Sequence, residues 1–329
     1  MIKLHTVTCN AENVMKKFFL GFASLVIFPA LISAQSMFDK INDFDGDGKA
    51  DLAVTRNEGG LKIWHIWQTT AGYRQLHWGV DSDLAAAGDY DGDGKTDAAV
   101  VRRDTTPSET TCYFHILRSL AGDYLIRGLP LSNPFESQCT AIQQDYDADG
   151  KTDPAIWHSQ VTGAVNYYRS ATNSIQFLEL PAGHVPVLVG DLDGDASAEI
   201  TSYTEQVPRL VRKRNPVSGI TTNVQFGVSG DIYSPADFDG DNVGDLTIFR
   251  PSSGDWWWLR SSDGTVSVVH WGINGDVPVP ADYDHDGKTD QAIYRPGTPN
   301  GIYYINGSLT GFQAFVWGIP GDSVIRYQR

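Results

Sequence analysis

Six nine-residue segments hold most of the chemically useful side chains in this sequence. They read DFDGDGKAD from Asp43, DYDGDGKTD from Asp89 and DYDADGKTD from Asp145, then DLDGDASAE from Asp191, DFDGDNVGD from Asp237 and DYDHDGKTD from Asp282. Each places carboxylates at positions 1, 3, 5 and 9. Carboxylates crowded into one tight turn repel each other wherever water is scarce. A hard divalent cation removes that repulsion. Ca²⁺ suits such a loop because it takes about six to eight oxygens in flexible geometry, whereas Mg²⁺ wants a strict octahedron and keeps its water.

The expected ligands are Asp43, Asp45, Asp47 and Asp51 in the first loop, and Asp89, Asp91, Asp93 and Asp97 in the second. Asp145, Asp147, Asp149 and Asp153 follow, then Asp191, Asp193, Asp195 and Glu199. The last two sets are Asp237, Asp239, Asp241 and Asp245, and Asp282, Asp284, Asp286 and Asp290. The carbonyl at position 7 is expected to add one oxygen, from Lys49, Lys95, Lys151, Ser197, Val243 and Lys288 in turn. An EF-hand would need Glu at position 12 and flanking helices. Position 12 is instead Val54, Val100, Ile156, Ser202, Ile248 and Ile293, which suit a strand. The fourth loop is the weakest, with Ala196 at the expected Gly and Glu199 for Asp; the fifth has Asn242 at the Gly.

The elements that position these loops repeat with them. Successive loops start 46, 56, 46, 46 and 45 residues apart. Each loop is followed by a short apolar run, such as Leu246-Thr247-Ile248, then a Gly-containing turn and a β-branched or aromatic run such as Ile302-Tyr303-Tyr304-Ile305. A further extended run ends in an aromatic residue and glycine, as in Trp78-Gly79 or Trp317-Gly318. Four short strands in roughly 45 residues are the arithmetic of a propeller blade, whose faces are buried only by its neighbours. The fold expected is an all-β propeller of six four-stranded blades, seven being the alternative count. Gly321–Tyr327 matches only the first strand of a further unit and is expected to help close the ring.

Residues 1–34 read as an upstream extension and a secretory signal, with translation expected to start at Met15; residues 35–329 form the single propeller domain. Met15-Lys16-Lys17 precedes an apolar run from Phe18 to Ile32, which is short of the ~20 residues a bilayer span needs. Cys112 and Cys139 both fall in the longest interval, and an oxidising compartment leaves open whether they pair or stay separate thiols. The chain carries 40 acidic against 25 basic residues, a net charge of -15, so a nucleic-acid partner is excluded for want of a basic face. Six divalent ions would bring that charge to -3. No membrane span is expected after the signal is removed.

Catalytic patterns are scarce. The eight His are scattered without HExxH, and neither a GxSxG elbow nor a phosphate-binding loop is present. Arg56, Arg102, Arg250 and Arg295 recur thirteen residues after the first Asp of their loops, and are expected to pair with a neighbouring blade's carboxylate. In Trp256-Trp257-Trp258 the middle ring should face opposite to its neighbours. Arg209, Arg212, Lys213 and Arg214 are expected in a solvated loop.

The run from Phe226-Gly227 through DFDGDNVGDLTIF resembles the FG-GAP or VCBS-type repeat of integrin-like β-propellers, and that resemblance extends over about residues 38–329. It implies Ca²⁺, up to six ions, in the loop joining strands one and two, and a secreted or extracytoplasmic location, periplasmic or at the cell surface. It also implies a binding or adhesion role toward an extracellular protein or glycan. Phe249-Arg250-Pro251 and Tyr294-Arg295-Pro296 depart from the integrin form toward the bacterial secreted one. A Ca²⁺-dependent polysaccharide lyase or glycosidase on the same scaffold is the alternative.

Overall fold

β-Branched and aromatic runs between glycine turns form 24 strands, and no helix occurs among the described residues. The computed structural model describes residues 41–325 apart from 106–109, 132–138, 159–162, 189 and 235. The described residues all fall within one compact unit, Ala34–Arg329. The expected leader and the Met15 start lie outside the described residues. In this unit the strands form six four-stranded antiparallel sheets, each a meander from an innermost to an outermost strand.

Blade two is representative, with strands Leu84–Ala85, Ala98–Thr105, Thr110–Leu117 and Tyr124–Pro130 in spatial order. Its acidic loop joins the first strand to the second. Blade one takes its innermost strand from the other end of the sequence, Ser323–Val324, which pairs antiparallel with Leu52–Glu58. The terminal strand therefore closes the ring. Six apolar clusters fill the structure, each between adjacent blades; Val54 and Leu52 of blade one meet Tyr294, Tyr303 and Ile305 of blade six, and Leu246 and Ile248 of blade five meet Val211 of blade four. Cys112, on the third strand of blade two, is disulfide-bonded to Cys139 at the entry to blade three.

Pleat alternation sorts the aromatic residues. Trp256 and Trp258 are buried and Trp257 faces the other way, where the Arg250 guanidinium lies 5.4 Å from its ring. In two of the Trp-Gly pairs the indole N–H ties adjacent blades together, while Trp317 packs edge-on against Trp67 and Tyr73 of blade one. Trp78 Nε1 donates to the His115 carbonyl of the next blade at 2.9 Å, and Trp271 Nε1 to the Tyr304 carbonyl at 3.3 Å.

Two expectations change. The basic cluster is not a solvated loop: Leu210–Arg214 is the third strand of blade four, and Arg209 is 3% exposed, its guanidinium 4.0 Å from the Tyr203 ring. Val211 belongs to the core, and that anchor puts the flanking cations into a pleat. The repeated arginines do pair with carboxylates, but within their own sheet. Arg102 holds Asp83 through two bonds of 2.8 and 2.7 Å, and Arg250 holds Asp231 at 2.8 and 2.9 Å. Arg295 holds Asp276, and Arg56 holds Asp322, in the same bidentate way. Each Asp lies just before the innermost strand and each Arg lies on the adjacent strand of the same sheet, so no neighbouring blade is needed.

Candidate metal centre

Position 1 organises each loop. Asp43 accepts from the amides of Gly46 at 2.6 Å and Gly48 at 2.9 Å, and Asp237 does the same with Gly240 and Asn242. To aim those amides inward, the residues at positions 4 and 6 take a left-handed backbone in all six loops. Glycine fills most of these places, while Ala148, Ala196, Asn242 and His285 hold φ of 61–72°. A non-glycine there is unusual, and is costliest for Ala, which lacks a local side-chain hydrogen bond.

The position-1 carbonyl faces outward to the next blade. It accepts from the amide at position 8 of the following loop: Thr96 to Asp43 at 2.6 Å, Thr152 to Asp89 at 2.6 Å and Ala198 to Asp145 at 2.6 Å. Gly244 to Asp191 at 2.5 Å, Thr289 to Asp237 at 2.7 Å and Ala50 to Asp282 at 2.7 Å complete the circuit. Six loops thus form one closed ring of hydrogen bonds.

Positions 3 and 9 turn toward position 1. Single carboxylate oxygens of Asp43, Asp45 and Asp51 lie within 4.8 Å of one another, as do those of Asp89, Asp91 and Asp97, of Asp145, Asp147 and Asp153, and of Asp237, Asp239 and Asp245. Position 9 is buried and accepts from the amide at position 2, for example Phe44 to Asp51 at 2.8 Å. Burial, with a further contribution from the neighbouring carboxylates, pushes Asp51, Asp97, Asp153 and Asp290 up to about 7, Asp245 to about 6 and Glu199 to about 8. Burial therefore disfavours the charged form of position 9 in these loops.

Position 5 has a different set of partners. Its Oδ1 accepts from the amide at position 7, as Asp93 does from Lys95 at 2.9 Å. Its other oxygen meets a hydroxyl from the turn between the third and fourth strands: Ser119 to Asp93 at 3.0 Å, Ser170 to Asp149 at 2.9 Å, Ser308 to Asp286 at 2.6 Å. Burial would raise Asp47, but bonds from Thr69 and Thr70 outweigh it and hold this carboxyl below its usual range. The same turn supplies an amide to position 9, Thr69 to Asp51 at 2.8 Å and Ser308 to Asp290 at 2.7 Å. These turn residues were not singled out from sequence; a hydroxyl or Asn 16–22 residues after position 9 is the signal that marks them.

In the fourth loop position 5 joins the cluster, and Asp191, Asp193, Asp195 and Glu199 converge together. Asn215 stands where the other blades carry Ser or Thr. Its Nδ2 lies 3.1 Å from Asp193, 2.8 Å from Asp195 and 3.3 Å from Glu199. An amide donor here does part of what a cation would do.

The fit to a cation can be judged from unpartnered atoms. Position-3 Oδ1 is buried without a hydrogen-bond partner in Asp45, Asp91, Asp147, Asp239 and Asp284. A buried carboxylate oxygen without a donor is costly, and the same atom is left over in five loops. The residues present therefore fit a bound divalent cation. At position 7 of the fifth loop, the Val243 carbonyl accepts from Ser261 Oγ at 3.4 Å.

Among the described residues no helix is long and apolar enough to cross a membrane. No curated protein matches the chain. Among solved structures it is similar to BBS1N in complex with ARL6DN, soaked with lead, at TM-score 0.47 and 12% identity over 87% of this chain and 84% of that one. It is also similar to a protein from Lactobacillus plantarum, at TM-score 0.42 and 10% identity over 83% and 98%. An exotype rhamnogalacturonan lyase matches at TM-score 0.38 and 13% identity over 82% and 66%. These distant likenesses carry no argument about activity. Residues 43–100 match the model of the FG-GAP-like repeat. The chain is thus a six-bladed β-propeller, closed by the strand Ser323–Val324, in which residues 43–100 match an FG-GAP-like repeat.

Proposed function

We propose that this propeller is a secreted, Ca²⁺-stabilised module that binds an extracellular protein or glycan. The observation that carries the metal reading is the buried, unpartnered Oδ1 at position 3 of five loops. Positions 1, 3 and 9 would hold the ion, with position 5 and the position-7 carbonyl as the remaining oxygens offered by each loop. When bound, Ca²⁺ supplies charge compensation, which locks the connection between the first and second strands. The chain's own residues do the rest: the position-1 carboxylate shapes the turn, and its carbonyl ties that turn to the next blade. The fourth loop, where Asn215 already contacts three carboxylates, would hold its ion less tightly than the others.

Export is supported by the Cys112–Cys139 bridge, since disulfides persist in oxidising compartments, and by the basic and apolar pattern of residues 15–34. The binding role rests on the rigid ring. The test is to display the Ca²⁺-loaded chain on a glycan array and against extracellular-matrix proteins, with a reducing-sugar assay alongside. Calcium-dependent binding without product supports the module; product formation from a polysaccharide would make it an enzyme.

A further inference from the structure

A cleft of about 520 Å³ opens between blades one and two, on the side of the acidic loops. That volume falls within the ~300–1,000 Å³ range of small-molecule sites. Phe44, Leu76 and Leu117 give it an apolar floor, and three cations, Arg74, Lys95 and Arg118, share its wall. Such a gathering is unexpected in a chain of net charge -15. Arg74 is also particular to this cleft. It lies opposite Ile66 on the outermost strand of blade one, and the corresponding places in the other blades hold Leu125, Gln176, Thr222, Ser267 and Gln313.

The three cations differ in what holds them. Arg118 is in bidentate contact with Asp123 at 2.8 and 2.7 Å, with 30% of its side chain exposed. Lys95 lays its stem across Gly46 of the preceding loop, where a Cβ would come within 2.9 Å of Cε. Arg74 is exposed. Among the described residues neither Arg74 nor Lys95 has an ion-pair partner. The carboxylate in the wall, Asp45, is otherwise engaged: its Oδ2 accepts from the Thr70 and Ala71 amides at 3.1 and 2.9 Å, and its Oδ1 is the buried position-3 atom of the first loop. Tyr124 stands directly opposite Leu117 on the outermost strand of blade two, 63% exposed and 6.3 Å from the Trp78 ring of blade one.

A free guanidinium fork matches a planar carboxylate, and the nearby ammonium adds a second donor to it. A tyrosine ring beside an apolar floor offers a flat face to a ring-shaped ligand. We propose that this cleft binds an acidic sugar, a hexuronate residue of a glycan, which rests on the glycan-binding role proposed above. The sugar carboxylate accepts from Arg74 and Lys95, and the ring lies over Leu117 and Tyr124.

Ligand-observed NMR titration of the Ca²⁺-loaded full chain with methyl β-glucuronide tests it. Methyl β-glucoside keeps the ring without the charge, and acetate keeps the charge without the ring. The glucuronide should bind at least about tenfold more tightly than either comparator. Arg74→Gln, with an unchanged melting temperature, should cost the glucuronide about tenfold, and Arg74→Lys should restore part of the loss. Tyr124→Ala should weaken both sugars. Arg127→Gln, which removes a cation stacked on Tyr168 at the next seam, should leave glucuronide binding unchanged. No glucuronide binding at millimolar concentration, equal binding of the three probes, or glucuronide binding indifferent to Arg74→Gln would overturn the proposal. A glycan-array signal that survives Arg74→Gln would also overturn this site while leaving the binding module standing.

Discussion

In blades one, two, five and six the two ends of the blade treat buried carboxylates in opposite ways. Where the chain enters the innermost strand, Asp83, Asp231, Asp276 and Asp322 are almost fully buried, and each has a guanidinium in bidentate contact. Across the sheet, where the first strand turns into the second, three carboxylates converge and one oxygen is left without a donor in five loops. Arg169, whose Nε lies 3.7 Å from Asp147 Oδ2, reaches toward only the third of these clusters. One end carries its countercharge in the sequence; under the proposed function the other would take it from solution. Stability should therefore depend on calcium through the loop end alone.

The largest effect should come from chelation. A ligand at about 100 times its Kd adds roughly 2.7 kcal/mol per site, so emptying several sites should lower the melting temperature on the order of 20 °C. Thermal unfolding with EDTA against CaCl₂ measures this. A second outcome concerns pH. In the metal-free chain the position-9 carboxylates titrate near 7, well above their unfolded value. Between roughly pH 4 and 7 the folded state then binds more protons, so metal-free stability should fall as pH rises through that window. With calcium present the trend should flatten or reverse, because the ion needs the deprotonated form.

Smaller effects separate the two ends. Arg102→Met would strand the buried Asp83 carboxylate and cost about 2–3 kcal/mol, reduced from the fully buried case because Arg102 is partly exposed. Denaturant titration should give the same loss with and without calcium. Asp91→Asn should remove one ion from the calorimetric stoichiometry. Asp93→Ala should weaken that site without emptying it, since Asp93 also serves Ser119 and the Lys95 amide. The smallest change is Ala196→Gly, which relieves a left-handed alanine and should stabilise by about 0.5–1 kcal/mol.

Blade number and loop positions were legible because the repeat carries its own register: carboxylates at alternate residues, then a strand. The incomplete segment at Gly321 announced the closing strand for the same reason. Less could be read where partners come from elsewhere in the chain. Ser119 and Ser170 look like ordinary turn residues until the fold brings them to Asp93 and Asp149. Asp83 lies 19 residues before Arg102, so only the pairing of the first and second strands reveals its partner. His285 and Ala148 hide the left-handed requirement at position 4 that Gly46 and Gly92 suggest. The hydrogen-bond circuit joining position 8 to the preceding loop uses backbone alone, and no side-chain pattern records it.

Elemental analysis of the full chain, dialysed against buffered calcium and then against calcium-free buffer, bears most directly on the loops. Tight retention by the five loops with an unpartnered position-3 oxygen, and weaker retention by the fourth, predicts about five calcium ions per chain, rising to about six when calcium is held in excess. Less than one ion per chain in both conditions, with unfolding unchanged by EDTA, would contradict the account.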